Sequence, residues 1–255
     1  MNEQAGRTFP LSVPRRLICD LLYFARQAPT VPVQRRMHLD GLVGARAQAT
    51  RRVSWCAIFT KAYARVAVQF PELRRAYLSF PTPRLYQHPY SIASVAVERL
   101  YGGENAVFFA HLREPEGQTL RQLDEHLRRF KEEPIETFGL FRRALKVSRL
   151  PRWLRRALWW YGLNTSGLRR ARHMGTFGVS VYSGLGAESL HPLSPLTTTL
   201  HYGVLRRDRT MPVRITYDHR VMDGATVARA LALMEDVLNQ DMAAELHEAE
   251  PILAA

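Results

Sequence analysis

Two cysteines in 255 residues, Cys19 and Cys56, are too few for a disulfide framework, and their spacing excludes a zinc ribbon or a dithiol redox motif. Each sits in an apolar helical pattern, the usual setting of a structural thiol. No metal site is indicated. No apolar run reaches the roughly 18 residues that a bilayer crossing needs, and Met1 to Pro10 holds no apolar signal stretch, so the sequence reads as a cytoplasmic protein. Internal repeats and low-complexity tracts are also missing, which excludes solenoids and long disordered linkers. Acidic residues are absent from Thr137 to Ala187, where Arg142, Arg143, Lys146, Arg149, Arg152, Arg155, Arg156, Arg169, Arg170 and Arg172 fall. The net charge is +13, so these ten leave only +3 for the rest of the chain. One basic segment on a nearly neutral domain points to a local anionic partner.

What is present is 46% hydrophobic and suits one globular α/β domain spanning 1–255, with the basic Trp/Arg-rich stretch at about 138–174 as an insertion. Pro14 and Pro29 bound a helix over 14–27 whose inner face carries Leu17, Leu21 and Phe24. Residues 30–39 read as a strand, and 53–70 as a buried helix stopped by Pro71. A hairpin is expected over 77–86, and strands over 90–97 and 106–113, joined through Gly102-Gly103. Leu120, Leu123, Leu127 and Phe130 mark an amphipathic helix. In the insertion, leucines and Trp153, Trp159 and Trp160 alternate with arginines as in an amphipathic helix broken near Pro151. Strands at 176–183, 197–205 and 211–217 follow. The expected result is a mixed sheet with helices packed on one side.

The last strand ends in Tyr217-Asp218-His219-Arg220-Val221-Met222-Asp223-Gly224, after which Val227, Leu231, Met234 and Leu238 share one helix face. A strand-end histidine whose ordinary pKa is about 6.5 suits a general base. Asp223 is placed to cap the helix, and Gly224 reads as a close-packing or backbone requirement.

The run Met211-Pro212-Val213-Arg214-Ile215-Thr216-Tyr217-Asp218-His219-Arg220-Val221-Met222-Asp223-Gly224-Ala225 resembles the active-site signature of the acyltransferase (E2) catalytic domain of 2-oxoacid dehydrogenase complexes, whose fold the chloramphenicol acetyltransferases share. Pro14-Arg15-Arg16, Gln27-Ala28-Pro29, Gln69-Phe70-Pro71-Glu72-Leu73 and Gly175-Thr176-Phe177-Gly178-Val179-Ser180 extend the resemblance in the family's order. It implies a chloramphenicol-acetyltransferase-like α/β fold, a trimer or multiple of trimers, and a channel between neighbouring subunits. It implies His219 as base, Ser180 as oxyanion donor with Ser183 as fallback, and an Asp223–Arg15 pair that shapes the loop, without metal. Thr197, Thr198, Thr199, His201 and Tyr202 are expected to line or support the channel, and their polarity points to a polar acceptor.

Acyl transfer from a thioester to a thiol, hydroxyl or amine needs a base, an oxyanion donor and placement of both substrates. No lipoyl domain accompanies the motif, so acyl-CoA is the expected donor, with acyl carrier protein or a lipoyl domain in trans as the alternatives. The basic segment 142–172 could meet any of these or an anionic membrane, placing the protein peripherally at that surface. No nucleic-acid-binding motif accompanies it. A non-catalytic assembly or membrane-docking protein is the competing class.

Overall fold

The computed structural model describes residues 6–248. Helix α1 (Val13–Ala25) starts where Ser12 Oγ accepts a hydrogen bond from Arg15 N–H, with Pro14 in the first turn. Strand β1 (Thr30–His38) leads into α2 (Asp40–Gln48), which the sequence did not foreshadow. Its N-terminus has no side-chain cap and only Leu42 and Ala45 are buried, so its stability comes from packing on the C-terminal helices rather than from a local signal. Helix α3 (Trp55–Gln69) is buried on nearly all sides: Phe59 stacks on Tyr202 at 4.4 Å and Tyr63 on Phe177 at 4.2 Å between centroids. Then come a small hairpin, β2 (Arg75–Leu78) and β3 (Arg84–Gln87), and the long pair β4 (Ile92–Tyr101) and β5 (Glu104–Arg113). Helix α4 (Leu120–Glu132) begins with a capping box between Thr119 and Gln122.

The main sheet has the order β1-β8-β7-β6-β4-β5, completed by β6 (Phe177–Val179), β7 (Thr198–Tyr202) and β8 (Thr210–Asp218). β6 runs parallel to both neighbours, with Ser94 opposite Gly178 and Gly178 opposite Thr199; the other pairings are antiparallel. Every residue of β8 is buried, so the strand that delivers the motif is fixed on both edges and both faces. Helix α8 (Gly224–Val237) follows, and one π-turn continues it into α9 (Ala243–Glu248). β6 is shorter than the strand expected over 176–183, because the chain leaves the sheet after Val179.

Helices cover both faces of the sheet, not one. Ala93, Val95, Val97, Phe108 and Ala110 join the core with α3, α4 and α8. The alternate residues Ser94, Ala96, Val107, Phe109 and His111 face the other way, towards α1 and the insertion. The insertion is three helices, α5 (Gly139–Arg149), α6 (Arg152–Asn164) and α7 (Gly167–Met174). Pro151 separates the first two as expected. The second break falls at Asn164-Thr165-Ser166, whose side chains cap the neighbouring turns.

Two of the ten basic residues are structural. Arg155 is buried and donates through Nε to Asp20 of α1 at 2.5 Å, and Trp159 stacks on Phe24 of the same helix at 5.9 Å. Arg170 is buried elsewhere and is taken up below. A buried carboxylate in the middle of an apolar helix is costly unless paired, so Asp20 and Arg155 together dock the insertion. Asp20→Ala leaves Arg155 as an unpaired buried charge and is expected to destabilise the fold by about 3–5 kcal/mol. Urea unfolding measures this, and a loss below about 1 kcal/mol would show that the pair does not hold α6.

Candidate active site

His219 stands one residue beyond β8, and its backbone N–H donates to Pro29 O at 3.1 Å, at the start of β1. Its imidazole is about half exposed, and its Nδ1 lies 3.7 Å from Asp223 Oδ1. That is too long for a hydrogen bond. Asp223 does not cap α8 with its side chain, contrary to the sequence-based expectation, and is largely exposed. Gly224 is closely packed: a Cβ there would lie 3.2 Å from Tyr217 Oη, which would have to give by a few tenths of an ångström.

The anchor of the loop is Asp218, to which the sequence assigned no role. It is 1% exposed. Its carboxylate accepts from Arg220 N–H at 3.0 Å and from Arg220 Nη2 at 2.6 Å, a fork that fixes the residues on either side of His219. The Arg220 guanidinium in turn lies over the Tyr77 ring of β2 at 4.2 Å. Arg170, from the insertion, donates to Tyr77 O, Leu163 O and Pro195 O at 3.2, 3.2 and 2.5 Å. Burial pulls Arg170 down to about 10, against the pull of Asp218, so it remains charged at neutral pH. The opposite charges flanking His219 were the available sequence signal for this clamp.

Ser180 lies at the end of β6. Its N–H donates to Leu200 O at 3.1 Å and its carbonyl meets His201 Nδ1 at 2.7 Å. Ser189 N–H donates to His201 Nε2 at 3.1 Å, which assigns the ring proton to Nδ1 and makes His201 the donor to Ser180 O. His201 thus supports the Ser180 backbone and is not on the wall of the cavity described next. Thr198 is likewise committed, to Tyr63 Oη at 2.5 Å in the core. Of the expected polar channel residues only Thr199 reaches the cavity described next, so the β7 polarity says nothing of the acceptor. Ser183 lies apart, in a short 3₁₀ turn.

Ser180, Thr199 and Arg15 border a cavity of about 670 Å³ beneath the insertion; His219 and Asp223 are not on its wall. Arg15 has no ion pair with Asp223 among the described residues. Arg15 lies in the first turn of α1 and borders the cavity. The structure therefore groups the expected residues into two half-sites, Ser180 with Arg15 and Thr199, and His219 with Asp223 and Gly224. No group of three or more His, Cys, Asp or Glu that could hold a metal occurs among the described residues. Nor is any helix among them long and apolar enough to cross a membrane.

Residues 196–246 match the family model described as 2-oxoacid dehydrogenases acyltransferase (catalytic domain), so the segment that carries His219 is of that family's kind. Among solved structures, a dihydrolipoamide acetyltransferase of Azotobacter vinelandii is similar over 96% of this chain and 95% of its own, with a TM-score of 0.68 at 17% identity. A probable dihydrolipoamide acetyltransferase of Listeria monocytogenes is similar over 98% of both chains, with a TM-score of 0.64 at 15% identity. A truncated catalytic core of the 2-oxoacid dehydrogenase complex of Thermoplasma acidophilum covers 92% of this chain and 99% of its own, with a TM-score of 0.65 at 16% identity. No curated protein sequence matches.

Four imidazoles, His88, His111, His173 and His201, are held below the ordinary histidine range. Burial, then Arg170 and Arg74, brings His88 to about 4. Burial, then His173, does the same for His111, and burial lowers His201. The unfolded chain therefore binds more protons than the folded one between about pH 6.5 and 4. Stability is complete above that window and falls as pH drops through it. His88, 2% exposed with an unpartnered Nδ1, contributes on the order of 3 kcal/mol across the window. Denaturant midpoints measured at pH 7 and 4.5 should differ clearly less in His88→Phe than in the parent protein; equal differences would contradict the buried neutral ring.

Proposed function

We propose that this protein is an acyltransferase that moves an acyl group from a thioester, acyl-CoA first among the candidates, to a thiol, hydroxyl or amine, at a site formed between two copies of the chain. The observation that carries this reading is the division of the site: Ser180 opens into a deep cavity, while His219 stands half exposed outside it. Each half lacks what the other has. In the assembled site His219 of one protomer takes the proton of the acceptor, whose freed lone pair attacks the thioester carbonyl carbon. The Ser180 hydroxyl of the partner subunit donates to the resulting oxyanion. Collapse of the tetrahedral intermediate breaks the carbon–sulfur bond, and the imidazolium returns its proton to the departing thiolate. Asp223, 3.7 Å from His219 Nδ1, favours the transient imidazolium. The loop itself is held by Asp218 and Arg220.

Structures similar to this one support the assembly and the residue types. One is the cubic core of a pyruvate dehydrogenase multienzyme complex, which agrees with a trimer-based oligomer here. In the Azotobacter acetyltransferase a serine, a histidine and an asparagine four residues after the histidine were investigated for the catalytic mechanism; Ser180, His219 and Asp223 have the same order, with an aspartate in the last place. His219→Ala and Ser180→Ala should each lower thioester turnover, the first by about 10²–10⁴-fold and the second by about 10²–10³-fold. Co-assembled from a mixture, the two variants should regain part of the activity, because some interfaces then carry both intact residues. Homogeneous variants that retain turnover would sink the assignment, and mixed oligomers without recovery would place both residues in one protomer.

A second reading concerns location. Trp153, Leu158, Trp160 and Tyr161 of α6 are 72, 43, 42 and 48% exposed, beside Arg152 on the same helix. Such a face suits adsorption to an anionic bilayer, and peripheral membrane attachment fits it. In flotation assays the protein should rise with phosphatidylserine vesicles and stay down with phosphatidylcholine ones, and Trp153→Ser/Trp160→Ser should abolish the difference. Equal sedimentation with both lipids would remove this reading and leave the catalytic one standing.

A further inference from the structure

We infer that the cavity beneath the insertion is an acyl-chain pocket, and that the substrates are thioesters of medium-length aliphatic acids rather than of acetate. This rests on the acyltransferase reading above. If Ser180 donates to the carbonyl oxygen, the thioester carbonyl lies at the cavity wall, and the acyl tail has the cavity as its open direction. The volume, about 670 Å³, falls within the range of roughly 300–1,000 Å³ typical of ligand pockets; a two-carbon acyl group would leave most of it empty.

The walls are chosen for a hydrocarbon. Leu17 and Ile18 of α1, Phe109 of β5, Ala144 of α5, Trp159 of α6 and Met174 of α7 all face in, so each insertion helix contributes. Burying aliphatic chain against such a surface is favourable by the area it removes from water. A second, independent observation is Gly162. Glycine inside a helix costs about 1 kcal/mol relative to alanine, yet Gly162 lies in α6, lines the cavity, and a Cβ there would meet nothing within 4 Å. No neighbour requires the missing side chain, and the open space there is available to an occupant of the cavity.

The polar groups of the wall fit the other end of such a substrate. Arg15, Arg143, Arg169 and His173 border the cavity, and no Asp or Glu does. Arg143 Nη1 lies 3.1 Å from His173 Nδ1, a ring that burial and then Arg143 hold below the ordinary histidine range, and Arg169 lies 4.1 Å over the Tyr161 ring; none of the three arginines is neutralised by a carboxylate at the wall. An apolar interior with uncompensated cations matches an acyl chain on a phosphate-bearing carrier.

Two measurements test this with acetyl-, butyryl-, octanoyl- and dodecanoyl-CoA. In the folded His219→Ala protein, calorimetric affinity should rise roughly fourfold per methylene until the cavity is filled, which is the fold-change corresponding to about 0.8 kcal/mol per CH₂. In the parent protein kcat/KM should rise in the same order. Gly162→Phe, with Ala144→Trp as the second variant and thermal melting to verify folding, should lower the octanoyl-to-acetyl ratio of both quantities at least tenfold. Affinity and turnover that do not depend on chain length, or a ratio unchanged in both folded variants, would overturn the pocket. Octanoate competing as strongly as octanoyl-CoA would overturn its assignment to a thioester. Chain-length-dependent binding without turnover of any thioester would support the pocket and refute the acyltransferase reading, whereas turnover of acetyl-CoA equal to that of octanoyl-CoA would refute the pocket alone.

Discussion

The guanidinium of Arg170 is the point on which the site depends. It is buried, it spans Tyr77 O, Leu163 O and Pro195 O, and it shares the neighbourhood of Asp218 with Arg220. Those three carbonyls belong to the β2–β3 hairpin, the end of α6 and the approach to β7, which are remote in sequence. A planar guanidinium presents its donors in a fixed fork from separate nitrogens, a spread that the single ammonium of a lysine does not offer. The buried carboxylate of Asp218 keeps such a charge tolerable, and Arg220, lying over Tyr77, closes the arrangement. Remove Asp218 and the buried Arg170 loses its counter-charge. The motif loop and the cavity roof are thereby fixed relative to one another by electrostatics, not by packing alone.

Much of the fold was legible because its signals are local. Proline bounds α1 and α3, glycines turn β4 into β5, and the period-2 pattern of 211–217 announces β8. The insertion's helices and the break near Pro151 were readable for the same reason. What escaped was decided at a distance. Helix α2 has few apolar residues and no cap, so only its packing partners explain it. The end of β6 at Val179 follows from the bonds of Ser180 with Leu200 and His201, residues that no nearby pattern connects. Helices on both sheet faces were missed because an insertion's docking face depends on one pair, Asp20 with Arg155, 135 residues apart.

The site divides along the same line. His219 and Gly224 stand out in sequence because a strand-to-helix turn concentrates them. The roles of Asp218 and His201 do not, since each acts through a partner. A charged residue inside an otherwise apolar strand or helix was the overlooked signal: Asp218 in β8 and Asp20 in α1 are both fully buried and both hold an arginine. The apparent basic patch shrinks accordingly. Arg155 and Arg170 stabilise the fold, Arg143 and Arg169 border the cavity, and only the remainder faces solvent as a patch.

Under the proposed function, this partition bears on why two copies would act together. A histidine half exposed to water is a competent base but a poor catalyst, because solvent screens the charges that form in the transition state and competes for every hydrogen bond. The cavity has the reverse property: its wall is largely apolar and includes Ser180, the proposed oxyanion donor, but not His219. Joining the two removes water from His219 and supplies the proton acceptor to the cavity in one step. Assembly then provides what neither half can, and the rigidity given by Arg170 and Asp218 becomes essential. A loop that must meet a cavity in another subunit has no local contacts to correct its position after docking, so its geometry has to be set within its own protomer beforehand.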